Sequence, residues 1–170
     1  RVLFRSVVID ASGVSIDGVN GILGQAGPTG QRPGSFIPYA GVMQFDTADL
    51  ASLEAAGELL DVITHEMMHV LGFGTIWTDL GLLVGAGSVA PTYIGSQATA
   101  EYNTRFNATG TSVPVEGSAA GPGSADGHWR ESVFDNELMT PFYNSGQVNP
   151  ISRVTVAQFA DLGYQVNLGA

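Results

Sequence analysis

The 170-residue chain contains no cysteine and no lysine, so all six of its positive side chains are arginine. Without cysteine there is no thiol nucleophile, iron–sulfur cluster, cysteine-type zinc finger or disulfide framework. Without lysine there is no Schiff base and no Walker-type phosphate lysine. Charge is scarce as well: charged residues make up 13% of the chain, against about 25% in ordinary soluble domains. The formal net charge of −10 leaves no electrostatic footprint for nucleic acid. No apolar run approaches the roughly 20 residues of a transmembrane segment, and the start lacks the basic-then-apolar layout of a signal peptide. The chain begins on Arg1 instead of Met, which reads as a processed or truncated piece of a longer product.

The hydrophobic content of 44% and the length suit one domain with a real core. A surface built mostly from Gly, Ser, Thr, Asn and Gln suits an extracellular, loop-rich protein. Residues 3–10 read as a strand, followed by a turn-rich stretch marked by Asp10, Gly13, Asp17 and Gly18. Residues 21–34, with Pro28 and Pro33, read as a loop. The segment from Ile37 to Phe45 reads as a strand, and Pro38 argues for an edge position because proline cannot donate to a central ladder. From Asp49 the period changes: Leu53, Ala56, Leu59, Leu60, Ile63, Met67, Val70 and Leu71 share one helical face. Thr47 or Asp49 can cap this helix and Gly72 ends it, with Gly57 as an unfavourable interior residue. Residues 81–127 are rich in small residues and weakly periodic, with a short helix over Gln97 to Asn107. A last helix starts at Ser152 or Thr155, runs through Val156, Phe159, Ala160 and Leu162, and stops at Gly163.

The long helix carries His65-Glu66-Met67-Met68-His69. Residues i and i+4 share a helical face, so His65 and His69 can present two imidazoles to one ion, and Glu66 can reach a water beside it. This chain's composition gives such a pattern by chance about 0.002 times. The chain has three histidines, and the third is His128. A catalytic zinc site uses three protein ligands and keeps a fourth position open for water, and the three imidazoles would supply those three ligands. A carboxylate third ligand, as in thermolysin-like enzymes, is the competing assignment; the candidates are Glu101, Glu116, Glu131 and Glu137, of which Glu101 has a plausible spacing. A Gly-rich, non-catalytic binding module with incidental histidines, or an inactive fragment, is the non-enzyme reading. Asp10 and Asp17 make a candidate Ca²⁺ site, although turn chemistry explains them equally.

HEMMHVLGFGTIW, a long insertion, and then GHWRESVFDNELMTP resemble the leishmanolysin branch of the metzincin zinc peptidases. The resemblance covers about residues 38–166. Gly72 stands where metzincins turn sharply after the helix, and Thr75 stands where most of them carry the third histidine. The leishmanolysin branch supplies that histidine after an insertion, which here implies His128. The resemblance implies a Met-turn at Met139, one catalytic Zn²⁺ on His65, His69 and His128, and Glu66 as general base. It further implies an α+β, metzincin-like zincin catalytic domain: a twisted, mainly parallel sheet with an edge strand above the active-site helix, a long insertion and a C-terminal helix. Residues 1–72 would form the upper subdomain and residues 73–170 the lower one, within a single catalytic domain over 1–170. Absence of cysteine points to a minimal relative with no disulfide pattern to carry over.

The reaction so implied is endopeptide hydrolysis by an activated water. With no lysine and all histidines committed, the oxyanion must rely on the metal, backbone N–H groups, Tyr or Arg; Tyr143, four residues after Met139, is the candidate stabiliser. The expected partner is an extended polypeptide lying along a rim strand around Val42 to Phe45. A monomer at an extracellular or cell-surface location, with no nucleic acid and no membrane-spanning segment, completes the expectation.

Overall fold

The structure, a computed structural model, describes residues 6–169 and divides into two units, residues 1–75 and residues 76–170. The secondary structure is mixed α and β, as the α+β expectation holds.

In the first unit, β3 (Pro38–Asp46) lies between β1 (Val8–Val14), which pairs with it in parallel, and β2 (Gly24–Gln31), which pairs antiparallel. The sheet is therefore mixed and not mainly parallel. The expected strand over residues 3–10 coincides with β1 only at residues 8–10: residues 6 and 7 are not strand, the stretch expected to turn around Gly13 stays extended to Val14 because it pairs with β3, and residues 3–5 lie outside the described residues. Two expectations are corrected here. The segment read as a loop over residues 21–34 contains β2, whose glycines and Pro28 have low intrinsic strand preference. Its pairing with β3 holds it extended, and Pro28 is tolerated because β2 is an outer strand with a register irregularity beginning at that residue. Conversely, β3 is central, so Val42 to Phe45 already hydrogen-bond on both sides and cannot form a rim for a substrate. Pro38 fits because it is the first residue of the strand, not because the strand is at an edge.

The expected long helix is two: α1 (Leu50–Ala56) and α2 (Leu59–Val70). Gly57 takes φ 76°, a left-handed conformation that closes α1, with Gly57 N–H donating to the Glu54 carbonyl and Glu58 N–H to the Leu53 carbonyl. Asp49 does start α1, but its carboxylate does not cap it; Oδ1 accepts the Asn20 amide at 2.8 Å. Helix α2 packs on β2 and β3. Val62, Glu66 and Val70, spaced four apart, are buried, and Ile37, Met43, Phe45, Leu53 and Phe73 complete this unit's apolar interior. The Asp10 and Asp17 expectation for calcium finds no support: Asp10 is exposed on β1, and Asp17 accepts the Ile22 amide, a turn contact that needs no cation.

The second unit has a small antiparallel sheet of two-residue strands, β4 (Leu83–Val84), β5 (Thr92–Tyr93) and β6 (Val113–Pro114). Among the described residues this unit also holds three α-helices: α3 (Ser96–Phe106), between β5 and β6, and then α4 (Glu131–Phe134) and α5 (Arg153–Asp161). Helices α3 and α5 pack on each other, and Asp161 of α5 accepts the Gln97 and Ala98 amides at 2.8 and 3.0 Å, capping α3 from across the contact. Ser152 caps α5 as expected, accepting the Thr155 amide. The core is aromatic: Trp129 stacks on Trp77 at 5.1 Å and on Phe134 at 5.5 Å, and Tyr93 meets both tryptophans. Among the described residues no helix is long and apolar enough to cross a membrane.

Candidate metal centre

Helix α2 turns His65 and His69 to one side and Glu66 towards the sheet. The two Nε2 atoms are 3.1 Å apart. Two nitrogens of a tetrahedral zinc site with Zn–N of about 2.0–2.1 Å lie about 3.3 Å apart, so this spacing fits that donor pair. The tautomer fits as well. His69 Nδ1 lies 2.9 Å from the Phe73 carbonyl, which makes Nδ1 the N–H donor and Nε2 the lone-pair nitrogen of the neutral ring.

That carbonyl is delivered by Gly72. With φ 112° it reverses the chain directly after the helix, so that Phe73 N–H donates to the Met68 carbonyl at 2.9 Å while the Phe73 carbonyl returns to His69. A residue with a Cβ is strained at this φ, which explains glycine between the helix and the next turn. Thr75, at the position where most metzincins carry a histidine, donates its hydroxyl to the His69 carbonyl at 2.8 Å and so caps the helix end.

Burial sets the charge states on α2. Glu66 is 5% exposed, and desolvation pushes its carboxyl up to about 8. His69 is held down at about 3, first by burial and then by His65 beside it, with the Phe73 carbonyl acting in the opposite direction. The neutral imidazole that metal ligation requires is thus the resting form of His69.

In the second unit, His128 sits in an irregular extended segment fixed on both sides by main-chain bonds. Its carbonyl accepts the Glu116 amide at 2.9 Å, Trp129 bridges to Val115, and Arg130 N–H donates to the Pro114 carbonyl. On the other side, Trp129 N–H donates to the Met139 carbonyl at 3.0 Å, which brings the third histidine and the expected Met-turn onto adjoining backbone. The buried Trp129 ring anchors this segment in the aromatic core. His128 is itself buried, and its Nδ1 lies 3.0 Å from the Ser124 carbonyl, the same tautomer-setting arrangement as in His69.

Met139 is fully buried in a tight turn closed by Thr140 N–H to the Glu137 carbonyl. The Glu137 carboxylate accepts the Met139 amide at 2.6 Å and the Ser152 amide at 2.9 Å, and it also bonds the Thr155 hydroxyl, which in turn accepts Trp129 Nε1–H at 2.8 Å. Glu137 is a residue that spacing does not reveal as structural; it ties the turn, α5 and the Trp129 ring together. Tyr143 is half-buried after this turn. Burial pushes the Glu131 carboxyl up, against the lowering effect of hydrogen bonds from Thr140, the Phe142 amide and Asn144. Glu101, the best carboxylate alternative, offers both oxygens to Arg153, at 2.9 and 3.0 Å, and that guanidinium holds its carboxyl below the ordinary range.

Residues 31–170 match the family profile described as Leishmanolysin. The curated relatives include Leishmanolysin of Leishmania donovani, 30% identical over 135 residues, and Leishmanolysin of Leishmania major, 29% identical over 135 residues. Each alignment covers 75% of this chain and 22% of the relative, so the chain spans about a fifth of the length of the curated relatives it matches. The chain belongs to the leishmanolysin family of peptidases.

Proposed function

We propose that this chain is the catalytic portion of a zinc-dependent endopeptidase in which His65, His69 and His128 hold one Zn²⁺. The observation that carries this reading is the His65–His69 pair: two imidazoles 3.1 Å apart, with the His69 tautomer set by a backbone carbonyl. Family membership and the matching Nδ1 arrangement of His128 support it. Zinc supplies Lewis acidity that activates a water and polarises a peptide carbonyl.

The chain's own residues do the rest. Glu66 accepts the proton of the attacking water and returns it to the leaving amine. A buried carboxyl beside a dication is driven towards its ionised form, which readies Glu66 for the first of these steps. Met139 serves as the soft apolar floor of the Met-turn. Tyr143 is the side chain assigned to the oxyanion, together with backbone N–H groups. The substrate is an extended polypeptide that adds to the outer side of β2, the strand next to Glu66, in place of the β3 rim expected from the sequence. The metzincin arrangement of these parts, and an extracellular or cell-surface setting, belong to the same proposal.

The test is metal content of the purified protein with peptide hydrolysis measured in parallel. Wild type is expected to hold one zinc per chain and to cleave. His128→Ala loses the zinc, whereas Glu66→Ala keeps it and loses about 10²–10⁴-fold in kcat. Zinc unaffected by His128→Ala overturns the ligand set, and no zinc in reconstituted wild type overturns the peptidase reading.

A further inference from the structure

Glu66 and Val70, one turn apart on α2, meet the sheet where it has no side chains. A Cβ built at Gly24 of β2 would lie 2.9 Å from Glu66 Oε1, 3.0 Å from its Cγ and 3.1 Å from its Cδ. One built at Gly41 of β3 would clash with Val70 Cγ1. Gly24 has ordinary extended backbone in the β2–β3 ladder, opposite Phe45, so the main chain there accepts any L-residue and the constraint is space alone. The close contact runs along the Glu66 stem and onto its carboxylate, so the side chain lies flat against the Gly24 Cα. Helix α2 has little freedom to withdraw, because Val62 and Val70 on the same face are buried.

We propose that Gly24 is a positioning residue for the general base: its missing side chain lets the Glu66 carboxylate rest against β2, and the strand thereby fixes where that carboxylate points. The role rests on the peptidase reading above. It explains why a strand with poor intrinsic preference begins with glycine where it meets Glu66. A methyl group at position 24 pushes the Glu66 stem and carboxylate off the strand, and misplacement of a reacting group by up to about 1 Å lowers rates by up to about 100-fold.

The test pairs a contact measurement with a kinetic one. In metal-free protein, Gly24→Ala is expected to lower Tm by about 2–6 °C beside Glu66 and by less than about 1 °C in the Glu66→Ala background, where the clash is gone. In zinc-loaded protein, Gly24→Ala lowers kcat by about 10–100-fold, with zinc content unchanged and KM within about twofold. Equal Tm losses in the two backgrounds, or an unchanged kcat, overturn the positioning role. A wild type that neither binds zinc nor cleaves peptide overturns the peptidase reading instead, and the role with it, whatever the stability cycle gives.

Discussion

Glu137 offers the sharpest test of how the second unit is held together. Its carboxylate, 5% exposed, accepts two amides, Met139 at 2.6 Å and Ser152 at 2.9 Å, and bonds the Thr155 hydroxyl that also receives the Trp129 indole. Burial raises its pKa and these hydrogen bonds lower it, with burial the larger effect. Glu137→Ala leaves both amides without an acceptor. At about 1–3 kcal/mol for each buried orphaned donor, the loss is about 2–6 kcal/mol, a large part of the 5–15 kcal/mol that holds a typical domain. Glu137→Gln is the more informative variant. The two amides approach different oxygens, Oε2 for Met139 and Oε1 for Ser152, so either orientation of the glutamine amide turns its NH₂ group towards a donor. The expected loss is about 1–3 kcal/mol, half that of alanine. Urea unfolding followed by tryptophan fluorescence reads this directly, because Trp77 and Trp129 both belong to the second unit. A Glu137→Gln variant within about 0.5 kcal/mol of wild type refutes the reasoning, since both oxygens would then not be needed as acceptors.

Acid stability of the first unit is expected to depend on Asp46, whose Oδ2 accepts the Ile16, Asp17 and Gly18 amides and whose Oδ1 accepts that of Ala48. These bonds, Ala48 first, lower its pKa from 3.8 to about 2. A lowered folded-state pKa means that the stabilisation is complete above the unfolded value and is lost as pH falls from 3.8 through about 2. Asp46→Asn should therefore lower Tm at pH 7 and flatten its fall between pH 4 and pH 2; parallel Tm curves for the two proteins would contradict this. Asp161→Ala removes the acceptor for the Gln97 and Ala98 amides and for the Tyr93 hydroxyl, and is expected to destabilise by about 1–2 kcal/mol in the same fluorescence assay, an unchanged midpoint being the contrary result.

The parts legible in the sequence are those that depend on neighbours along the chain. The His65–Glu66–His69 arrangement follows from the helical repeat, and the helix itself from the apolar period through Leu59, Ile63, Met67 and Val70; the face that the fold buries is instead that of Val62, Glu66 and Val70, with Leu60 and Met67 exposed. The Ser152 cap and the turn at Gly72 are local in the same sense, requiring only one side chain or one φ angle. Helix α3 was visible because eleven residues are enough to show a period; strands β4, β5 and β6, of two residues each, carry none.

What the tertiary structure alone decided concerns contacts between distant residues. Strand β2 has glycines and a proline where a strand wants branched side chains, and it is extended because β3 pairs with it; that pairing moves the outer edge of the sheet from β3 to β2. The carbonyls that orient two imidazoles, Phe73 and Ser124, have no side-chain signature, since every residue has a carbonyl. Glu137 and Glu101 look alike as acidic residues in a chain, yet one is buried under three hydrogen bonds and the other is paired with Arg153 at the surface. Periodicity and motif spacing report the order of side chains along an element; which backbone atom or charge an element meets across the fold is fixed only when burial forces polar groups to find partners.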